Sequence, residues 1–119
     1  MLTLALTLMD LPAEHFLENI RCIFHDRDLA RHKLAFAGDK IDLAAIRTTA
    51  LMTVEGAEGD IAAPGQTRAA HALCTSIPRR RCEKVLVDAC GHFSLFHGRI
   101  CRTKVVPEIL GFINQAGSF

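Results

Sequence analysis

Two short apolar runs, each followed by a glycine-containing loop with a polar side chain, constrain this chain more than any other feature. The run 49–54 breaks into a loop that holds Asp60, and the run 84–87 is followed by Gly91 and His92. Strands with so few polar interruptions are typical of parallel sheets buried on both faces. With a helix predicted after each run, the order is β-loop-α-β-loop-α, which predicts an α/β fold with a right-handed parallel unit. Asp60 and His92 then follow the carboxyl ends of the strands, where open α/β sheets place ligands.

The rest of the pattern predicts a helix and a hairpin before this unit. The first helix is expected from about residue 12 to about 26, with Asp10 as its cap, because apolar residues recur there at helical spacing. A hairpin or extended excursion is expected to turn at Gly38-Asp39, and Leu43–Arg47 suits one helical turn. The later helices are expected from Pro64 to about Pro78 and from about Thr103 to about Gln115, the first with Ala69, Ala70, Ala72 and Leu73 towards the sheet.

Composition places the chain among ordinary globular proteins and excludes several function classes. Half of its 119 residues are hydrophobic and its net charge is +1, so nothing in its charge favours nucleic acid or an acidic membrane surface. Its five cysteines are odd in number and lack a repeating spacing, which favours a reducing compartment. Residues 1–9 are apolar but lack the features of a signal peptide. The sequence predicts a cytoplasmic protein with no cofactor.

Asp60 and His92 each have a functional and a structural interpretation. As members of a catalytic triad, His92 is the general base and Asp60 accepts its Nδ1 hydrogen, fixing the tautomer. Alternatively, Asp60 caps the helix that begins near Pro64, and His92 is a surface-loop residue with no task. Glu58 is an alternative acid. A chain order of acid and then histidine, each after a strand, matches the tail of the nucleophile-acid-histidine order of α/β-hydrolases.

A nucleophile in the expected position is missing. The nucleophile elbow of α/β-hydrolases places a serine or cysteine between glycines, after a strand and ahead of the acid in the chain. The three serines, Ser76, Ser94 and Ser118, all follow Asp60. Cys22 falls in the first predicted helix and Cys90 on the second strand, so neither suits an elbow.

Several motifs in the same order resemble the C-terminal region of intracellular polyhydroxyalkanoate (polyhydroxybutyrate) depolymerases. The resemblance covers the chain from about residue 10, and its most specific piece is Asp60-Ile-Ala-Ala-Pro-Gly-Gln-Thr. The other pieces are Asp10-Leu-Pro-Ala-Glu, the stretch 45–51, Thr53-Val-Glu-Gly, and Gly91-His-Phe with Phe96 and Gly98. The chain departs from the family pattern at Ser94, where a glycine is common, and at Ala62, where a cysteine is frequent.

The resemblance implies an α/β-hydrolase fold and hydrolysis of the ester bonds of stored 3-hydroxyalkanoate polymer, with Asp60 as the triad acid and His92 as the base. It also implies that the nucleophile, the oxyanion hole and most of the sheet belong to an upstream lobe. Residues 1–119 are then expected to be a single partial domain, with 10–119 as its depolymerase part. The lone chain is expected to be a poor catalyst that works in the cytoplasm, at polymer storage granules.

Two other functions stay open. A two-stranded parallel sheet leaves both edges unpaired, so the chain is expected to complete its sheet with another lobe or by self-association. A non-catalytic interaction module that uses a sheet edge or the first helix is therefore an alternative. A weaker alternative is a metal site, for which the candidate ligands are Cys82, Cys90, His92 and His97.

Overall fold

The computed structural model describes residues 11–118, so the predictions for residues 1–10, including the cap at Asp10, lie outside the described residues. The chain divides between Ile41 and Asp42 into two compact units. Helices and small sheets alternate along it, as expected of an α/β protein. No helix in the described part is long and apolar enough to cross a membrane.

The first unit contains the predicted helix and hairpin. Helix α1, Ala13–Asn19, continues into a π-helical turn, Ile20–His25, which confirms the predicted extent of this helix. The side chains of its apolar stripe are exposed within the described residues, at 54% for Phe16 and 72% for Phe24. An amphipathic helix normally buries its apolar stripe against another element.

Strands β1, Ala35–Phe36, and β2, Asp39–Lys40, form the antiparallel hairpin. Its two-residue turn is Ala37-Gly38, where both residues have positive φ angles of 51° and 88°. This conformation matches the twist of the two strands and suits glycine at the second position. The turn therefore lies one residue earlier than the predicted Gly38-Asp39.

The second unit contains the predicted parallel pair. Strands β3, Leu51–Gly56, and β4, Cys82–Val87, run parallel with Leu51 opposite Cys82 and Gly56 opposite Val87. In the part of the chain that the structure describes, these strands pair only with each other. Single 3₁₀ turns precede the two strands, Leu43–Ala45 before β3 and Arg79–Arg81 before β4.

The helices that follow the strands differ in extent from the prediction. After β3, a 3₁₀ turn, Thr67–Ala69, leads into α2, Ala70–Leu73. This helix is shorter than predicted because Cys74 leaves the helical region, with φ −87° and ψ 60°. After β4, the 3₁₀ turn Phe93–Leu95 is followed by a longer helical segment, which consists of α3, Gly98–Ile100, a π-helical turn, Cys101–Val105, and α4, Val106–Ala116.

The core lies around β4 and the helical segment that follows it. Val87, Cys90 and Val105 are buried, and the partly buried side chains of Val54, Val85, Leu95 and Ile100 pack against them. Of the four side chains predicted to face the sheet, those of Ala70 and Leu73 are partly buried, whereas those of Ala72 and of Ala69, which lies in the preceding 3₁₀ turn, are exposed.

The carboxyl ends of the two strands are held together at Gly56. A Cβ atom on this residue would lie 2.3 Å from the carbonyl oxygen of Cys90, so only glycine fits there. Next to it, the amide of Ala57 donates to the carbonyl of Val87 and the amide of Glu58 donates to the carbonyl of Cys90, both at 3.0 Å. The loop after β3 is thus bonded directly to the loop after β4.

We predict that Gly56→Ala lowers the free energy of unfolding by about 1–3 kcal/mol, because the added methyl group overlaps backbone atoms. The matched control is Gly111→Ala in α4, where a Cβ atom meets nothing within 4 Å. This change should raise stability by about 0.5–1 kcal/mol. Urea unfolding measures both, and equal stabilities of the two variants would contradict the close approach.

Candidate functional site

His92 lies beside a small hollow at the carboxyl end of the sheet. The loop that carries it leaves β4 through Ala89, which has a positive φ of 53°, and passes the fully buried Cys90. The half-buried ring of His92 stands edge-on to Phe93 and Phe96, with ring centroids 5.5 and 5.4 Å apart. The hollow has a volume of about 190 Å³, and besides His92 its walls include Val54, Gly59, Ala62, Leu95 and Phe96.

Asp60 lies in the loop after β3, on the same edge of the sheet as His92. Its side chain is exposed, and within residues 11–118 it makes no hydrogen bond or ion pair. It therefore does not cap the helical turn that begins at Thr67, nor does it bond to His92 in this conformation. Glu58, the alternative acid, is also exposed. The catalytic roles of Asp60 and His92 stay predictions.

Glu55 is the carboxylate that sequence reasoning missed. It is 7% exposed, and its Oε2 accepts from the amide of Gly65 at 2.9 Å while its Oε1 accepts from the amide of Arg68 at 2.6 Å. These hydrogen bonds, the bond from Arg68 first, lower the pKa of Glu55 against the opposing effect of burial. The signal in the sequence is a charged residue in an otherwise uncharged strand, since buried charges need partners.

A second polar contact ties helix α2 to β3. Oγ1 of Thr53 lies 3.0 Å from Nε2 of His71, so a hydrogen bond joins the two side chains. Burial lowers the pKa of His71, and the positive charge of Lys84 lowers it further. Both effects favour the neutral ring, and the contact between His71 and Thr53 braces the helix against the sheet.

Cys90 does not have the properties of a nucleophile. Its side chain is fully buried, and its Sγ lies 3.5 Å from the carbonyl oxygen of the neighbouring Gly91. Burial raises the pKa of Cys90, which disfavours the reactive thiolate. Among residues 11–118 no three His, Cys, Asp or Glu side chains are grouped so as to hold a metal ion, and this includes Cys82, Cys90, His92 and His97.

Comparison with known proteins gives one finding. A model of the family described as PHB de-polymerase C-terminus matches residues 4–117. The match covers nearly the whole chain and includes both loops described above. No curated protein and no solved structure matches the chain.

We predict that the lowered pKa of His71 makes stability depend on pH. The unfolded chain binds a proton on this ring more readily than the folded chain does, so protonation of His71 lowers the free energy of unfolding. This loss is absent above pH 6.5, the ordinary pKa of histidine, and grows as the pH is lowered from there. Thermal melts between pH 7.5 and 5, taken on the chain and on His71→Gln, should show a smaller decline in the variant. His97→Gln, which alters an exposed ring, is the control and should decline like the unmodified chain. Parallel curves for all three proteins would contradict the prediction.

Proposed function

The chain belongs to the family of PHB de-polymerase C-terminal regions, and from this premise we propose that it is the acid–base part of a polyhydroxybutyrate depolymerase. The proposed reaction is hydrolysis of the ester bonds of the polymer. The observation that carries the proposal is the position of His92, which lines an apolar hollow beside the carboxyl end of the sheet in a chain that the family model matches over 4–117. The parent fold would be that of an α/β-hydrolase.

His92 is the general base and then the general acid in this proposal. Its ring takes the proton of the nucleophile as that group attacks the ester carbonyl, and it later gives this proton to the departing alcohol. The edge-on contacts with Phe93 and Phe96 limit the orientations open to the ring. The walls of the hollow are mostly apolar, which suits the aliphatic chain of a polyester, and Glu55 and Thr67 are their polar residues besides His92.

Asp60 is the proposed acid of the triad. Its carboxylate would accept the Nδ1 hydrogen of His92 and stabilise the imidazolium that forms during the reaction. Two features support this role: its loop is bonded to the His92 loop through Glu58 and Cys90, and its side chain has no competing partner in the described structure. A rotation of the exposed side chain towards the hollow is required.

The nucleophile and the oxyanion hole would come from residues outside this chain, since no serine or cysteine of the sequence occupies an elbow. Within residues 11–118, β3 and β4 pair only with each other, which supports this view because isolated parallel pairs need neighbouring strands. Residues 1–119 would then be one partial domain, inactive alone and acting at polymer granules in the cytoplasm.

A second candidate function is a non-catalytic interaction module. The exposed apolar side chains of the first helix favour it, with Leu17 at 64% and Phe24 at 72%. It predicts self-association that His92→Ala leaves unchanged. Sedimentation of the chain as a monomer, with a cooperative thermal melt, would count against it.

We predict that His92→Ala abolishes ester hydrolysis in a protein that joins the N-terminal part of a PHB depolymerase to Met1 of this chain. Loss of general acid–base catalysis should lower kcat by at least about a hundredfold. Release of 3-hydroxybutyrate from the polymer measures the rate. His97→Ala, which removes an exposed ring five residues further along the chain, is the control and should keep the rate. Unchanged turnover in His92→Ala would refute the assignment.

We predict that Asp60→Asn lowers kcat in the same joined protein by about a hundredfold or more, because an amide does not stabilise the imidazolium. Glu58→Gln tests the alternative acid and should leave kcat within about twofold, a change worth less than RT. The same product assay measures both variants. A large loss in Glu58→Gln with little loss in Asp60→Asn would transfer the acid role to Glu58.

A further inference from the structure

The carboxylate of Glu55 is buried, and its hydrogen bonds are to backbone amides rather than to Asp60 or His92. It lies at the end of β3, next to Gly56, and both of its oxygens are occupied by amides from beyond the Asp60 loop. A buried charge is costly unless hydrogen bonds compensate it, so a residue of this kind holds structure in one arrangement.

The geometry shows which arrangement Glu55 holds. The loop 57–64 begins at the amides of Ala57 and Glu58, which are bonded to the β4 side. Directly after the loop, the amide of Gly65 donates to Glu55, which lies only two residues before Ala57, the first residue of the loop. Both ends of the loop are therefore fixed to the end of the sheet, and Asp60 lies between them.

We propose that Glu55 is a positioning residue that holds the Asp60 loop closed at the His92 edge of the sheet. The inference rests on the proposed role of Asp60 as the triad acid. Glu55 acts through the loop and touches no reacting atom. The amides at the start of the Thr67 turn are already occupied by this carboxylate, so they are not free to bind an anion from solution.

Ionised glutamate is the form that makes this closure. A glutamine at position 55 has one oxygen for two amide donors, and its own NH₂ group would face a backbone N–H. Two hollows border Glu55: Arg68 and Lys84 line one of them, and the titratable ring of His92 lines the other, which is the hollow described above. Arg68 favours the ionised form together with the amide bonds.

The first part of the test is amide hydrogen exchange, measured by NMR on the full chain. In Glu55→Gln, the amides of Gly65 and Arg68 should lose protection by about tenfold or more, since hydrogen bonds to charged groups are among the stronger ones. The amide of Glu58 should lose protection as well, although its own acceptor is untouched. Glu83→Gln, an exposed glutamate on β4, is the matched control and should change none of them.

A pH profile separates the ionised carboxylate from a packing effect. In the unmodified chain, the protection factors of Gly65 and Arg68 should fall as the pH is lowered below 4.5, the ordinary pKa of glutamate, and through the lower pKa of folded Glu55. In Glu55→Gln the loss of protection at these two amides below pH 4.5 should be clearly smaller. Unchanged protection at Gly65 and Arg68 in Glu55→Gln would overturn the proposal.

The second part is a double-mutant cycle in the joined protein. If Glu55 acts through Asp60, then Glu55→Gln lowers kcat about tenfold in the Asp60 protein and has no further effect in Asp60→Asn. Equal losses in both backgrounds would overturn the positioning role while leaving the proposed function intact. An Asp60→Asn protein with full activity would instead refute the acid role, and the inference with it.

Discussion

The close approach of the two loops at Gly56 is the constraint on which the candidate site depends. The backbone of β3 passes so near the carbonyl of Cys90 that no side chain fits, and the amides of Ala57 and Glu58 donate across the gap. The loops that carry Asp60 and His92 are thereby fixed to each other by backbone bonds. A parallel strand pair with longer, separate loops would leave the two side chains independent.

The charge states of the buried groups in the second unit also depend on how closely the chain packs there. Glu55 stays ionised because amides of the returning chain surround it, and His71 stays neutral because its ring is buried beside a lysine. The thiol of Cys90 is buried where the two loops meet, and because burial raises its pKa it keeps its proton. Buried polar groups here are used to hold backbone in place, whereas the two proposed catalytic side chains stay free of hydrogen bonds in the described structure.

The sequence was informative where the pattern is local. The apolar runs and their glycines were enough to predict both parallel strands, and the spacing of Phe16 and Ile20 predicted the first helix. The bonds of Glu55 span ten and thirteen residues, so no local pattern reveals which amides it meets. The length of α2 was overestimated because alanine-rich sequence favours helix, while Cys74 and the closure at Gly65 limit it from both sides. The pattern predicts that Asp60 follows the carboxyl end of β3, but the direction of its side chain depends on neighbours that spacing does not specify.

We propose that this chain supplies one part of a depolymerase site and that the nucleophile comes from elsewhere. The most direct measurement compares release of 3-hydroxybutyrate from polyhydroxybutyrate by three samples: this chain, the N-terminal part of a PHB depolymerase, and the two joined. We expect product from the joined protein and only background release from either part. Hydrolysis by this chain alone at the rate of the joined protein, or no hydrolysis by the joined protein, would contradict it.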